Sequence, residues 1–111
     1  PEMKGKLDGV AMRVPTPDGS IVDFVCELSK DADIKGINSL FADVAANELK
    51  GILEYTEEPI VSADIVHNPH SCIFDSGLTN VIGGRFVRVM GWYDNEWGYS
   101  NRIIDVVKIL I

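Results

Sequence analysis

The run from Trp92 to Arg102, Trp-Tyr-Asp-Asn-Glu-Trp-Gly-Tyr-Ser-Asn-Arg, holds the densest chemistry in the chain. Trp92, Tyr93, Trp97 and Tyr99 place four aromatics within eight positions, mixed with Asp94, Asn95 and Glu96. An Asn carboxamide carries a donor and an acceptor side by side, which suits another carboxamide, and a Tyr ring packs against a flat heterocycle. The same letters suit an aromatic corner that pins a last helix to a sheet, and the residues alone leave the two readings level. Arg13 is the only cation between Lys6 and Lys30, and it leads into Pro15-Thr16-Pro17. A guanidinium there, beside the Thr16 hydroxyl, suits bidentate capture of a phosphate or carboxylate. An ion pair with Asp23 on a partner strand is the plainer expectation. His67, His70 and Cys72, flanked by Asp64 and Asp75, have ligand chemistry for a metal. His70 and Cys72 also share a face if the segment is a strand, as a thiol–imidazole pair needs. No CxxC or HExxH spacing accompanies them, so a turn His and a half-buried Cys are expected, and neither a catalytic residue nor a metal ligand is assigned. Cys26, on an apolar strand face, is expected to pack in the core.

The elements that must position these groups follow from period. Residues 7–14 (LDGVAMRV) and 20–28 (SIVDFVCEL) alternate on either side of the turn cluster PTPDG, which predicts an antiparallel hairpin. Over 31–50, Ile34, Ile37, Leu40, Phe41, Val44 and Ala45 recur every three or four residues, predicting a helix capped by Asp31 or Asp33 and stopped at Gly51. Short strands are expected at 51–55, 60–66, 71–75, 79–82 and 85–93, with turns at Asn68-Pro69 and Gly83-Gly84. The end, 96–111, is rich in Ile and Val, which favours a strand. The spacing of Ile103, Val106, Val107 and Leu110, with Asp94 as cap, favours a helix, and helix is the reading adopted. The sum is one α+β domain over 1–111, a largely antiparallel sheet with two helices packed on one face. Gly83-Gly84 precedes a strand, so it does not qualify as a dinucleotide-binding fingerprint.

Composition narrows the partners. Lys plus Arg is 10 against 17 Asp plus Glu, a net charge of −7, with no basic cluster. That balance lacks the footprint of a nucleic-acid or anionic-membrane binder. With two cysteines, no signal peptide and no apolar run of ~18 residues, a reduced, cytoplasmic protein is expected. Pro1 fits loss of an initiator Met and equally a cut from a longer chain.

The Trp92–Arg102 run resembles a signature of the phosphorylating glyceraldehyde-3-phosphate dehydrogenases. So do KGKLDGVAMRVPTP (Lys4 to Pro17), LKGILEYT (Leu49 to Thr56), and His70-Ser71 with Phe74-Asp75, all in order along the 111 residues. The resemblance implies the C-terminal part of that family's catalytic domain, without its N-terminal dinucleotide-binding domain. It implies that Arg13 binds the phosphate of a sugar-phosphate substrate and that Asn95 hydrogen-bonds the nicotinamide carboxamide of NAD or NADP. Tyr99 would pack near that ring, and Tyr93 would lie close to the reaction centre. It further implies a homotetramer, with the last helix inserted beside the cofactor domain. The family's Ser-Cys-Thr-Thr-Asn and His-Ala-Tyr-Thr runs do not occur here, and Cys26, Cys72, His67 and His70 match neither. The chain alone is therefore expected to lack dehydrogenase activity, and Pro1 reads as a cut. Two alternatives stand beside this reading. An erythrose-4-phosphate dehydrogenase relative would tend to carry Cys in place of Tyr93 and Phe in place of Tyr99. A non-catalytic binding or assembly module would keep the sheet alone.

Overall fold

The computed structural model describes all residues, 1–111. In chain order its elements are β1 (Ser20–Glu27), α1 (Ile34–Ala46), β2 (Leu53–Thr56), β3 (Cys72–Asp75), β4 (Asn80–Ile82), β5 (Phe86–Tyr93) and α2 (Asn95–Leu110). Short 3₁₀ turns occupy Ser62–Ile65 and Ser76–Leu78. The sheet runs β1-β5-β3-β2, with β4 beside β5. Every pairing is antiparallel except β2 with β3. The architecture is the α+β one expected from period.

β5 is the spine. All eight residues of β1 pair with it, from Ser20 opposite Tyr93 to Glu27 opposite Phe86. On its other edge β4 pairs with Phe86–Arg88 and β3 with Gly91–Trp92. The alternation of β1 puts Val22, Phe24 and Cys26 on one face of this ladder, with Asp23 and Glu27 on the other.

α1 begins where Asp33 accepts the Gly36 N–H at 2.7 Å, a side-chain cap for an otherwise unpaired donor. Four of the six residues of its apolar stripe then fall on the sheet, while Ile34 and Leu40 stay exposed. Ile37 joins Leu53, Phe74 and Val87 in the core, with Phe41, Val44 and Ala45 packed around them. Phe41 stacks on Phe74 at 4.0 Å between ring centres, and Tyr55 lies 5.9 Å away on the same ring. Burying one such side chain contributes roughly 1.5–3 kcal/mol. Only 12 of the 111 residues are buried, so this cluster carries most of the packing.

α2 departs from the end of β5, and its first turns rest on the loop before β3. A Cβ added to Gly98 would lie 2.8 Å from the His70 carbonyl oxygen, so only glycine allows the helix so close. Arg102 then reaches the Gly51 carbonyl at 3.2 Å and the Ser71 hydroxyl at 3.3 Å. Beyond this point Ile103, Val106, Val107 and Leu110 are about half exposed or more.

Four expectations are corrected. α1 ends at Ala46 with Asn47 as its C-cap, short of the stop expected at Gly51. Residues 7–14 form no strand, and β1 takes β5 as its partner. A tight hairpin needs positive φ in its turn, whereas Pro15 and Pro17 hold φ near −65° and supply no N–H. The chain turns at Gly19 instead (φ 90°), where an added Cβ would strike Ile65. Val10 and Met12 remain 94% and 86% exposed. The segment 60–66 also forms no strand. Asp64 Oδ2 accepts the Val61 N–H at 2.8 Å, closing a local turn that drives Ile65 into the interior. Finally, Asp23 pairs with Arg88 and not with Arg13. The contacts are 2.8 Å from Nε and 2.6 Å from Nη2, a two-point fork between directly neighbouring strands.

Candidate functional site

The last pair of the β1–β5 ladder, Ser20 opposite Tyr93, sits where three segments meet. Residues 11–19 arrive there before β1, β5 ends there, and α2 starts there. Together they enclose an open cavity of about 410 Å³ lined by Arg13, Thr16, Asp18, Ser20, Tyr93, Asn95 and Glu96, among others. Three sequence-assigned residues, Arg13, Tyr93 and Asn95, thus border one space although they come from opposite ends of the chain. Tyr99 does not line it. It lies one helical turn further on and is 68% exposed.

Asp94 organises this corner. It is almost fully buried, and each carboxylate oxygen takes a backbone donor. Oδ1 accepts the Trp97 N–H at 2.8 Å, capping α2, and Oδ2 accepts the His67 N–H at 2.8 Å. Burial opposes the charge on Asp94. The N–H groups of Trp97 and His67, the Asp18 side chain and the Glu96 N–H outweigh it and hold the carboxyl below its usual range. His67 adopts φ 63°, a left-handed conformation that few non-glycine residues occupy, and its ring lies 4.8 Å from that of Trp97. Its role is to bring the loop onto Asp94. Asn95, the first residue of α2, is therefore held on a fixed backbone. Its carboxamide meets Ser20, whose hydroxyl donates to Oδ1 at 3.1 Å and whose oxygen accepts from Nδ2 at 2.8 Å.

Arg13 is the one cation lining the cavity, and none of the chain's ion pairs uses it. With Asp23 taken by Arg88, its guanidinium is free for an anion. The carboxylates of Asp18, Asp94 and Glu96 offer oxygens within 4.8 Å of one another. Each Asp94 oxygen in this group already accepts one backbone N–H.

The His67–Cys72 cluster comes apart. His70 Nδ1 lies 2.9 Å from both Glu54 Oε2 and Asn68 Oδ1, so it serves the loop. His67, His70 and Cys72 do not converge as ligands. Burial pushes the Cys72 thiol up, away from the thiolate that a nucleophile or ligand needs. Cys26 packs at the edge of the core, as its strand position implied. Sequence reading missed Ser20, Asp18 and Glu96 as cavity residues. Asp94 was visible only as a cap, and no periodicity signals that Ser20 and Asn95, 75 residues apart, would meet.

Residues 1–95 match the family model described as glyceraldehyde 3-phosphate dehydrogenase, C-terminal domain. The chain belongs to the glyceraldehyde-3-phosphate dehydrogenase family. Glyceraldehyde-3-phosphate dehydrogenase of Mycobacterium leprae is 57% identical over 110 residues, covering 99% of this chain and 32% of that protein. Glyceraldehyde-3-phosphate dehydrogenase of Mycobacterium avium is 56% identical with the same coverage. Glyceraldehyde-3-phosphate dehydrogenase 2 of Streptomyces avermitilis is 54% identical over 106 residues, 96% of this chain and 32% of that one. The chain spans about a third of the length of these dehydrogenases. No helix in it is long and apolar enough to cross a membrane.

Proposed function

We propose that the protein takes part in the phosphorylating oxidation of glyceraldehyde 3-phosphate, and that residues 1–111 supply one wall of its active site. In this reading Arg13 anchors the substrate's phosphate, Asn95 holds the nicotinamide carboxamide, Tyr99 packs near the ring and Tyr93 stands near the reacting carbon. The cavity carries the reading: an unpaired guanidinium, a tyrosine and a mounted carboxamide border one open space. The donor set fits a nicotinamide amide. Ser20 takes the edge of the Asn95 carboxamide where donor and acceptor lie side by side, so one N–H of Nδ2 and one lone pair of Oδ1 remain on opposite edges, and a second amide can meet one of them. When bound, NAD or NADP would supply the hydride acceptor. The nucleophilic thiol and the general base are assigned to residues outside 1–111, so the 111-residue chain by itself should not turn over glyceraldehyde 3-phosphate. Measurable turnover by the pure chain would refute that assignment. A cytoplasmic homotetramer is part of the same reading.

The direct test is Arg13→Gln in the protein at its full natural length. Losing a charge-assisted, two-point contact should raise the KM for the sugar phosphate roughly tenfold to a hundredfold. Arg13 is exposed and touches no partner, so folding should be unchanged. An unchanged KM rejects the phosphate role.

A further inference from the structure

We infer that Ser20 is a positioning residue for the cofactor amide: its hydroxyl clamps the Asn95 carboxamide in one plane before a ligand arrives. The inference rests on the reading of Asn95 given above. Ser20 opens β1 and Tyr93 closes β5, and the two form the final rung of the ladder. That rung fixes the backbone and Cβ direction of Ser20, while the Asp94 cap fixes the first turn of α2. The Asn95 side chain bridges the two supports. It is exposed, so without a partner it would turn freely between rotamers. Ser20 engages both ends of the amide, at 3.1 Å and 2.8 Å, and so holds both side-chain torsions. A hydroxyl suits this task because it donates and accepts at once. The plane of the Asn95 amide is thereby fixed before binding, and a ligand that meets its remaining N–H or its remaining lone pair need not pay to order it.

The test uses the protein at its full natural length with NAD and NADP in turn, and it reads equilibrium dissociation constants by titration. Freezing one side chain contributes roughly two- to tenfold in affinity, so Ser20→Ala should raise the dissociation constant by that factor. The KM for the sugar phosphate should stay unchanged, and the side-chain amide signals of Asn95 in nitrogen-resolved NMR should broaden or shift. Ser20→Thr keeps the hydroxyl on a strand-compatible side chain and should restore both binding and spectrum. If Ser20→Ala binds the cofactor equally well or more tightly while Asn95→Ala binds it worse, the clamp is overturned and the role of Asn95 stands. If Asn95→Ala leaves binding unchanged, the reading of Asn95 falls and the clamp falls with it.

Discussion

Residues 7–14 and residues 20–28 alternate alike, yet the chain uses them in opposite ways. The second stretch contains a strand paired along its whole length, with Cys26 and Leu28 packed against the core. The first pairs with nothing, and Val10, Met12 and Val14 stand exposed. Alternation records which residues a surface will face, but it does not say that the facing surface lies next in the chain. The difference is set by the linker, whose prolines forbid the tight turn. It also divides labour. The paired part makes the fold, and the unpaired part brings Arg13 and Thr16 to the cavity.

The contrast can be broken most forcefully from the packed side. Phe74→Ala removes the ring that Phe41 and Tyr55 stack upon and should cost about 3–5 kcal/mol, measured by denaturant unfolding. A loss under about 1 kcal/mol would show that the fold is held elsewhere. Asp94→Asn comes next. The amide keeps an acceptor for one N–H but turns a donor toward the other, so a loss of about 1–3 kcal/mol is expected. The wild-type carboxyl predicts a matching pH dependence. Its folded value lies below the ordinary 3.8, so its contribution is complete above about pH 4 and disappears as pH falls through the lower folded value. Stability should therefore drop more steeply below pH 4 in the wild type than in Asp94→Asn, and parallel acid limbs would contradict the assignment. Gly98→Ala sharpens the comparison within α2. The added methyl meets the His70 carbonyl, and a loss of about 1–3 kcal/mol is expected, whereas Ser100→Ala on the exposed side should be near neutral. Smallest of all is Arg13→Gln, which should leave the melting temperature where it was. A clear drop would mean that the unpaired segment supports the fold after all.

Much of the fold was legible because its signals are local. The stripe of α1 and its Asp33 cap lie within one stretch of chain, and the period of α2 outweighed its strand-favouring Ile and Val once Asp94 supplied a cap. The 3₁₀ turn at Ser62–Ile65 was missed because a short apolar run reads equally well as a strand, and the deciding Asp64 bond is a side-chain detail. For the site, Arg13, Tyr93 and Asn95 were named from motifs, but their meeting depends on the β1–β5 register. Ser20 could not be found this way. A serine at the start of a strand acquires meaning only when its opposite number is known to be Tyr93 and the next helix is known to begin two residues later.

That register also has a consequence in time. Asp23 and Arg88 join diagonally across 65 residues of chain, and the rest of β1 waits about as long for its partner. At ~5–20 residues per second on the ribosome, β1 emerges roughly 3–13 seconds before β5 exists. Throughout that interval Ile21, Val22, Phe24 and Val25 lack the strand that pairs with them in the finished sheet. The spine of the sheet is made after all four of the other strands, so the sheet cannot close from β1 onward as synthesis proceeds.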